Sequence, residues 1–128
     1  MTEREERVQE RLARAASDLD ASRLLLDGGF MDQAASRSYY AAFYAAEAAL
    51  LQLGETRSSH AGLISTFGSL VVKKGGFEPG IAALLRELFD LRNDADYERL
   101  GSITRDHAQR AIASAERFVN AVSVWVNR

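Results

Sequence analysis

The chain has 128 residues, of which 47% are apolar, and this suits one domain, residues 1–128, with a hydrophobic core and no second unit. Lysine and arginine number 16 against 18 aspartate and glutamate residues, so a net charge of −2 excludes strong nonspecific attraction to nucleic acid or to anionic membranes. The absence of cysteine excludes disulfides, thiol catalysis and cysteine-ligated metals, and fits a cytoplasmic protein. The charged N-terminus precedes no long apolar run, so we expect neither a signal peptide nor a membrane span.

A long amphipathic helix is predicted over residues 3–27. Its apolar positions follow one another at steps of four and three residues, which places them on one helix face. These positions are Val8, Leu12, Ala15, Leu19, Ser22 and Leu26. Its opposite face is charged and predicted to be solvated. Gly28 and Gly29 then break the helix, since two glycines supply positive φ values, and the next helix can turn back antiparallel.

The next helix, from about Met31 to Leu53, has no wholly solvent-facing side and is therefore predicted to be the core helix. One stripe is apolar and comprises Tyr39, Phe43, Ala46, Leu50 and Leu53. A second stripe has small side chains that let another backbone come close: Ala41, Ala42, Ala45, Ala48 and Ala49. A third, the polar stripe, comprises Arg37, Tyr40, Tyr44 and Glu47, whose tips fall within about a quarter-turn of each other. Such groups predict a polar cluster inside or at the edge of a bundle.

A third helix is predicted over His60 to Lys74, with the serines of the preceding polar loop as N-caps. Its helix propensity is poor because it contains Gly62, Gly68 and β-branched residues, so only packing against the rest of the protein would stabilise it.

A fourth helix is predicted from the single proline, Pro79, in its first turn to about Asp96. Its apolar stripe comprises Ile81, Leu84, Leu85, Leu88 and Leu91. One further step of four places Arg92 on the buried side, which is an expensive place for an arginine.

The fifth helix follows Gly101, with Ser102 or Thr104 as its cap, and continues to the C-terminus. Its apolar positions are Ala108, Ala111, Ala115, Phe118, Val122 and Val126. With no strand pattern in the sequence, we predict an all-α, up-and-down bundle of four to five helices.

No metal or cofactor is expected. Neither His60 nor His107 has the Glu-x-x-His spacing of a helix-borne metal site, and each is better explained as a polar or capping residue, although His60, beside a loop, could face a cleft. The glycine pairs at 28–29 and 75–76 follow helices instead of strands, so they are not phosphate-binding loops.

Three stretches together resemble the HEPN family, the higher eukaryotes and prokaryotes nucleotide-binding domain. They are residues 38–48, 59–63 and 91–97, the last with the sequence Leu-Arg-Asn-Asp-Ala-Asp-Tyr. The resemblance implies a four- or five-helix bundle that is usually a homodimer, often encoded beside a small nucleotidyltransferase as a toxin–antitoxin-like pair. It also implies ribonuclease activity in many members, without a metal.

The ribonucleases of this family carry an arginine followed four to six residues later by a histidine, and a dimer brings two such pairs into one composite cleft. Arg92 matches the arginine and Asn93 the polar residue after it. The histidine is missing, since positions 97–99 hold Tyr97, Glu98 and Arg99. A tyrosine with a pKa near 10 is a poor general base, so the sequence leaves open whether the chain is an enzyme; if it is one, it is an endoribonuclease.

We therefore predict a binding cleft in which the guanidinium of Arg92 lies near Glu47 or Tyr44, with Asp96 and Tyr97 at the mouth. Its candidate residues are Arg92, Asn93, Asp96, Tyr97, Arg37, Tyr40, Tyr44, Glu47 and His60. Plainer interpretations remain. Arg92 could pair with Asp96 on its own helix or bridge to Glu47, and the tyrosines could be ordinary core aromatics.

Three functions stay open. The first is a noncatalytic module that binds a nucleotide, RNA or a partner nucleotidyltransferase in a toxin–antitoxin-like pair. The second is a ribonuclease in which Tyr97 or His60 replaces the missing histidine, and the third is a dimeric helical scaffold without a small ligand. A homodimer is expected because the resemblance implies it and because the outer helices carry apolar residues beyond one stripe: Leu24, Leu25, Val124 and Trp125.

Overall fold

In a computed structural model, five α-helices account for most of the residues that can be described. The structure describes residues 1–55, 59–71, 73, 77–78, 80–97 and 102–128, without the side chains of residues 71 and 95–97. The helices are α1 (Glu3–Asp27), α2 (Met31–Gln52), α3 (His60–Thr66), α4 (Ile81–Tyr97) and α5 (Arg105–Val126). No strand occurs in the described ranges, and the all-α prediction is confirmed. None of the described helices is long and apolar enough to cross a membrane.

α1 begins and ends where its sequence predicts. The side chain of Thr2 caps it by accepting a hydrogen bond of 3.1 Å from the backbone N–H of Glu5. All six residues of the predicted apolar face are buried. Of the two glycines that follow, only Gly29 has a positive φ, 86°, while Gly28 stays right-handed at −80°, so the expectation of two left-handed glycines is wrong for Gly28.

α2 is the central helix and packs against α1, α4 and α5. The five alanines of its small-residue stripe are all buried, as are Tyr39, Ala46 and Leu50 of the apolar stripe. Arg11 pairs with Glu47, and Asp18, further along α1, pairs with Arg37, earlier in α2. Residue numbers therefore increase along α1 in the direction in which they decrease along α2, so the two helices are antiparallel.

The third helix is shorter than predicted. Its α-helical part ends at Thr66, and a π-helical turn follows over Phe67–Val71. Packing holds this segment despite its two glycines, since the buried ring of Phe67 lies 5.1 Å from that of Phe118. Ser59 caps α3 through the N–H of Gly62 at 3.0 Å. Lys74, the glycine pair at 75–76 and Pro79 lie outside the described residues.

The last two helices close the bundle. In α4, Ile81, Leu85 and Leu88 are buried, and Leu84 and Leu91 are half-buried. The cap of α5 is Thr104, whose hydroxyl accepts from the N–H of His107 at 3.1 Å. Its predicted apolar face is buried except for the half-buried Val126.

The four apolar residues that the sequence places on the outer helices do not form one surface. Leu24 and Val124 are 73% and 64% exposed, but Leu25 and Trp125 are half-buried within their own chain. Hydrogen bonds join Gln9 to Asn127 and Arg23 to Glu116, so α1 and α5 are also antiparallel. Leu24 and Val124 therefore lie towards opposite ends of the bundle.

Candidate functional site

Arg92 of α4 lies against the polar stripe of α2. Its Nη2 donates a hydrogen bond of 3.0 Å to the hydroxyl of Tyr40, and its Nη1 donates one of 2.9 Å to the side-chain oxygen of Asn93. The guanidinium carbon is 5.5 Å from the ring centroids of both Tyr39 and Tyr40. The hydrogen-bond partner of Arg92 on the stripe is therefore Tyr40, where Glu47 or Tyr44 was expected, and Glu47 instead pairs with Arg11 at 3.4 Å.

His60 borders the same two tyrosine rings as Arg92. Its Nδ1 is 2.7 Å from the hydroxyl of Tyr39, and its ring stacks on Phe43 with the centroids 4.3 Å apart. Burial lowers the pKa of His60 from its ordinary value of 6.5, and the nearby charge of Arg92 lowers it further, against a smaller opposing effect of Glu47. His60 is therefore neutral at pH 7.

The proton between these two residues can be assigned on physical grounds. Burial raises the pKa of the Tyr39 hydroxyl well above its usual range, against the charge of Arg92, so this phenol stays protonated. Its ring is fully buried, and its hydroxyl proton needs an acceptor, which His60 Nδ1 supplies. With Nδ1 accepting, a neutral imidazole carries its own proton on Nε2. His60 then presents a hydrogen-bond donor at Nε2 and no acceptor.

Arg37 lies over the ring of Tyr40, with 4.5 Å from its guanidinium carbon to the centroid. Its Nη1 donates to Asp18 of α1 at 3.3 Å. Tyr40 therefore has Arg37 and Arg92 as neighbours, whereas Tyr44, 6.4 Å away between centroids, has Arg11 and Arg14. Both tyrosines are half-buried and pack against the core, whereas the ring of Tyr39 is fully buried in it.

Sequence reasoning missed the contribution of α1. Asp18 lies at the border of the apolar face of α1, three residues after Ala15 and four before Ser22. Its side chain is only 7% exposed, and Arg14 Nε lies 3.6 Å from its Oδ2. A signal was available: Arg11, Arg14 and Asp18 follow at steps of three and four, which gathers them on one side of the helix. Because these residues are polar, an apolar stripe alone does not reveal them.

The remaining candidates are only partly described. Asn93 is half-buried and accepts from Arg92. The side chains of Asp96 and Tyr97 lie outside the described residues, and so does the alternative pairing of Arg92 with Asp96. His107 is exposed at the start of α5.

Two other kinds of site can be weighed against this cleft. Within the described ranges, no three histidine, aspartate or glutamate side chains are grouped closely enough to hold a metal ion. A groove of about 760 Å³ lies between α4 and α5, and its charged lining includes Glu87, Asp94 and Arg110. Arg110 is paired with Asp106 at 3.2 Å, and Glu87 and Asp94 add negative charge, so this groove suits an anion poorly.

The HEPN domain family model matches residues 8–125. A UPF0332 protein of Gloeobacter violaceus, glr0978, is 38% identical over 87% of this chain and 89% of its own length. A UPF0332 protein of Thermotoga maritima is 31% identical over 95% and 92% of the two chains, and a Methanocaldococcus jannaschii protein named "Putative toxin MJ0605" is 32% identical over 91% and 87%.

A solved structure shows the same fold. The crystal structure of ST0689, an archaeal HEPN homologue, superposes with a TM-score of 0.72 at 21% identity and covers 93% of this chain and 97% of its own. The helical architecture therefore agrees with the family match over nearly the whole chain. On the sequence matches, the chain is a member of the HEPN domain family, among its UPF0332 proteins.

Proposed function

We propose that this chain is a noncatalytic binding component of a toxin–antitoxin-like pair, and that its Arg92 cleft holds a phosphate group of a nucleotide or RNA. The partner in such a pair would be a minimal nucleotidyltransferase. Two relatives from Methanocaldococcus jannaschii carry the name "Putative toxin", which supports the first part of the proposal. The chemistry of the cleft supports the second.

The position of Arg92 carries the proposal. Its guanidinium is fixed by a hydrogen bond to Tyr40 and by two tyrosine rings, so little side-chain freedom is left to lose when a ligand binds. A guanidinium fork held in this way suits phosphate oxygens, which it can contact with two parallel N–H groups. His60 Nε2–H adds a neutral donor beside it.

The assignment of the proton between Tyr39 and His60 favours binding over catalysis. A ribonuclease needs a base to take the proton of the 2′-hydroxyl. The imidazole lone pair of His60 already accepts from Tyr39, and burial keeps the Tyr39 phenol protonated. Neither group is then ready to accept a proton from a substrate.

A second candidate function, a ribonuclease with a divergent site, rests on one observation. His60 lies in contact with Tyr39 and Tyr40, whose rings also border Arg92, so a histidine and an arginine share the cleft although the histidine after Arg92 is missing. If the bond from Tyr39 opened in a complex, His60 Nδ1 would become a base.

One experiment separates the two. The purified protein is mixed with a 5′-fluorescein-labelled single-stranded RNA of ten nucleotides, binding is followed by fluorescence anisotropy, and the RNA is then run on a denaturing gel. We expect saturable binding, intact RNA, and an affinity about ten-fold or more weaker in Arg92→Gln, since a hydrogen bond to a charged group contributes about 1.5–3 kcal/mol. Arg86→Gln is the matched control, because Arg86 is exposed on the same helix.

Two outcomes would contradict the proposal. A wild-type protein that binds neither the RNA nor AMP would exclude the phosphate cleft and leave the dimeric scaffold. Cleavage that is lost in both Arg92→Gln and His60→Gln would instead establish the ribonuclease. Independently, a neighbouring reading frame with the Gly-Ser and paired-aspartate motif of a nucleotidyltransferase would support the two-component pair.

A further inference from the structure

Asp18 of α1 is a buried carboxylate that holds two arginines from different helices. It accepts from Nη1 of Arg37 at 3.3 Å and lies 3.6 Å from Nε of Arg14. Arg37 donates through Nη1, and the nitrogen of Arg14 that is paired with Asp18 is Nε; a guanidinium has five N–H donors in all. Asp18 therefore orients two cations instead of only neutralising one.

The two tyrosines of the polar stripe support these cations and join them to Arg92. Arg14 lies 4.9 Å from the ring centroid of Tyr44, Arg37 lies 4.5 Å from that of Tyr40, and Arg92 lies 5.5 Å from the latter. The two centroids are 6.4 Å apart. Arg14, Arg37 and Arg92 thus form a continuous arginine row across α1, α2 and α4, supported by a pair of tyrosine rings.

We propose that the arginine row binds successive phosphates of a single-stranded nucleic acid, with Arg14 and Arg37 extending the Arg92 cleft along α1. This inference rests on the proposed function and adds residues from α1 to it. Grooves that bind single strands combine cations along the backbone with aromatic side chains, and the row has both. Asp18 is the positioning residue that holds the row together.

The charge distribution favours a strand over a mononucleotide. One carboxylate, that of Asp18, faces two guanidiniums, those of Arg14 and Arg37, in a chain whose net charge is −2. One phosphate needs only one of the fixed guanidiniums, whereas a strand can engage all three. The row ends at Arg11, because Glu47 and Glu10 both pair with that residue.

The experiment compares Arg14→Gln with Arg23→Gln. Both arginines lie on α1 with similar exposure, 52% and 46%, but Arg23 pairs with Asp20 and Glu116 away from the row. Affinity for the labelled ten-nucleotide RNA is measured across a salt series, and affinity for AMP is measured by calorimetry. A DNA of the same sequence and a polyglutamate peptide of ten residues serve as competitors.

We expect Arg14→Gln to bind the RNA about ten-fold more weakly, to lower the slope of log affinity against log salt by about 0.7, and to bind AMP as the wild type does. Arg23→Gln should match the wild type in all three measurements. Competition by DNA would identify the strand backbone as the recognised group, and failure of DNA to compete would restrict the row to RNA; both agree with the inference.

Other outcomes would overturn it. If the RNA binds and Arg92→Gln weakens it but Arg14→Gln does not, the extension along α1 is wrong while the proposed function stands. If polyglutamate competes as well as RNA, the row is a docking surface for an acidic peptide. If the wild type binds AMP but no RNA, the extension is wrong; if it binds neither, the proposed function itself fails.

Discussion

The hydroxyl of Tyr39 and Nδ1 of His60 lie 2.7 Å apart, although one side chain is buried in α2 and the other begins α3. This contact attaches the short third helix to the central one. Since burial lowers the pKa of His60, the folded state favours the neutral imidazole that can accept from Tyr39. The contact is therefore sensitive to pH.

The expected pH dependence follows from the direction of that shift. The unfolded chain takes up a proton at His60 near pH 6.5, whereas the folded chain does so at lower pH. The contribution of His60 to stability is therefore complete above pH 6.5 and is lost as pH falls through the folded-state pKa. Thermal unfolding between pH 5 and 8 should show that the stability of His60→Gln falls less towards acid pH than that of the wild type. His107→Gln, at the exposed histidine, should follow the wild type; identical profiles for all three proteins would show that His60 carries no such linkage.

Tyr40→Phe removes the hydroxyl that accepts from Arg92 but keeps the ring under Arg92 and Arg37. We expect the free energy of unfolding to fall by about 0.5–1.5 kcal/mol and RNA affinity to decrease, because the guanidinium of Arg92 loses its orientation. Chemical denaturation and anisotropy measure the two effects. Tyr44→Phe is the control, since within the described residues no hydrogen bond is made by the Tyr44 hydroxyl; an equal loss in both variants would argue against a specific role for Tyr40.

Helix periodicity was sufficient to predict most of the fold. The faces of α1, α2, α4 and α5 follow from apolar spacing alone, because each long helix must bury one side. α3 is shorter than its sequence predicts, because the balance between weak helix propensity and the packing of Phe67 depends on residues far away in the sequence.

The candidate site could be predicted only in part, for a similar reason. Counting along α4 and α2 brings Arg92 to the polar stripe, but it does not fix the register between the helices. That register decides that Arg92 meets Tyr40 and that Arg11 takes Glu47. The role of Asp18 depends on how α1 docks, so it became visible only in the structure.

A homodimer remains a prediction, and it now rests on the family resemblance more than on surface apolarity. Leu24 and Val124, at opposite ends of the bundle, do not form a single patch. Sedimentation equilibrium at micromolar concentration should give twice the mass of the chain. Leu24→Glu and Val124→Glu, measured separately, would identify which end lies at the interface; a monomer in the wild-type protein would contradict the prediction.

The alanine stripe of α2 explains why one helix can pack against three others, and it can be tested by adding volume. Ala45 is fully buried, and Ala113 lies exposed on α5. Ala45→Leu should lower the free energy of unfolding by about 1–3 kcal/mol because the surrounding helices have to separate. Ala113→Leu adds the same atoms in solvent and should stay within about 0.5 kcal/mol of the wild type. Urea denaturation of both variants is the measurement, and an Ala45→Leu protein as stable as the wild type would mean that α2 does not pack as closely as its buried alanines indicate.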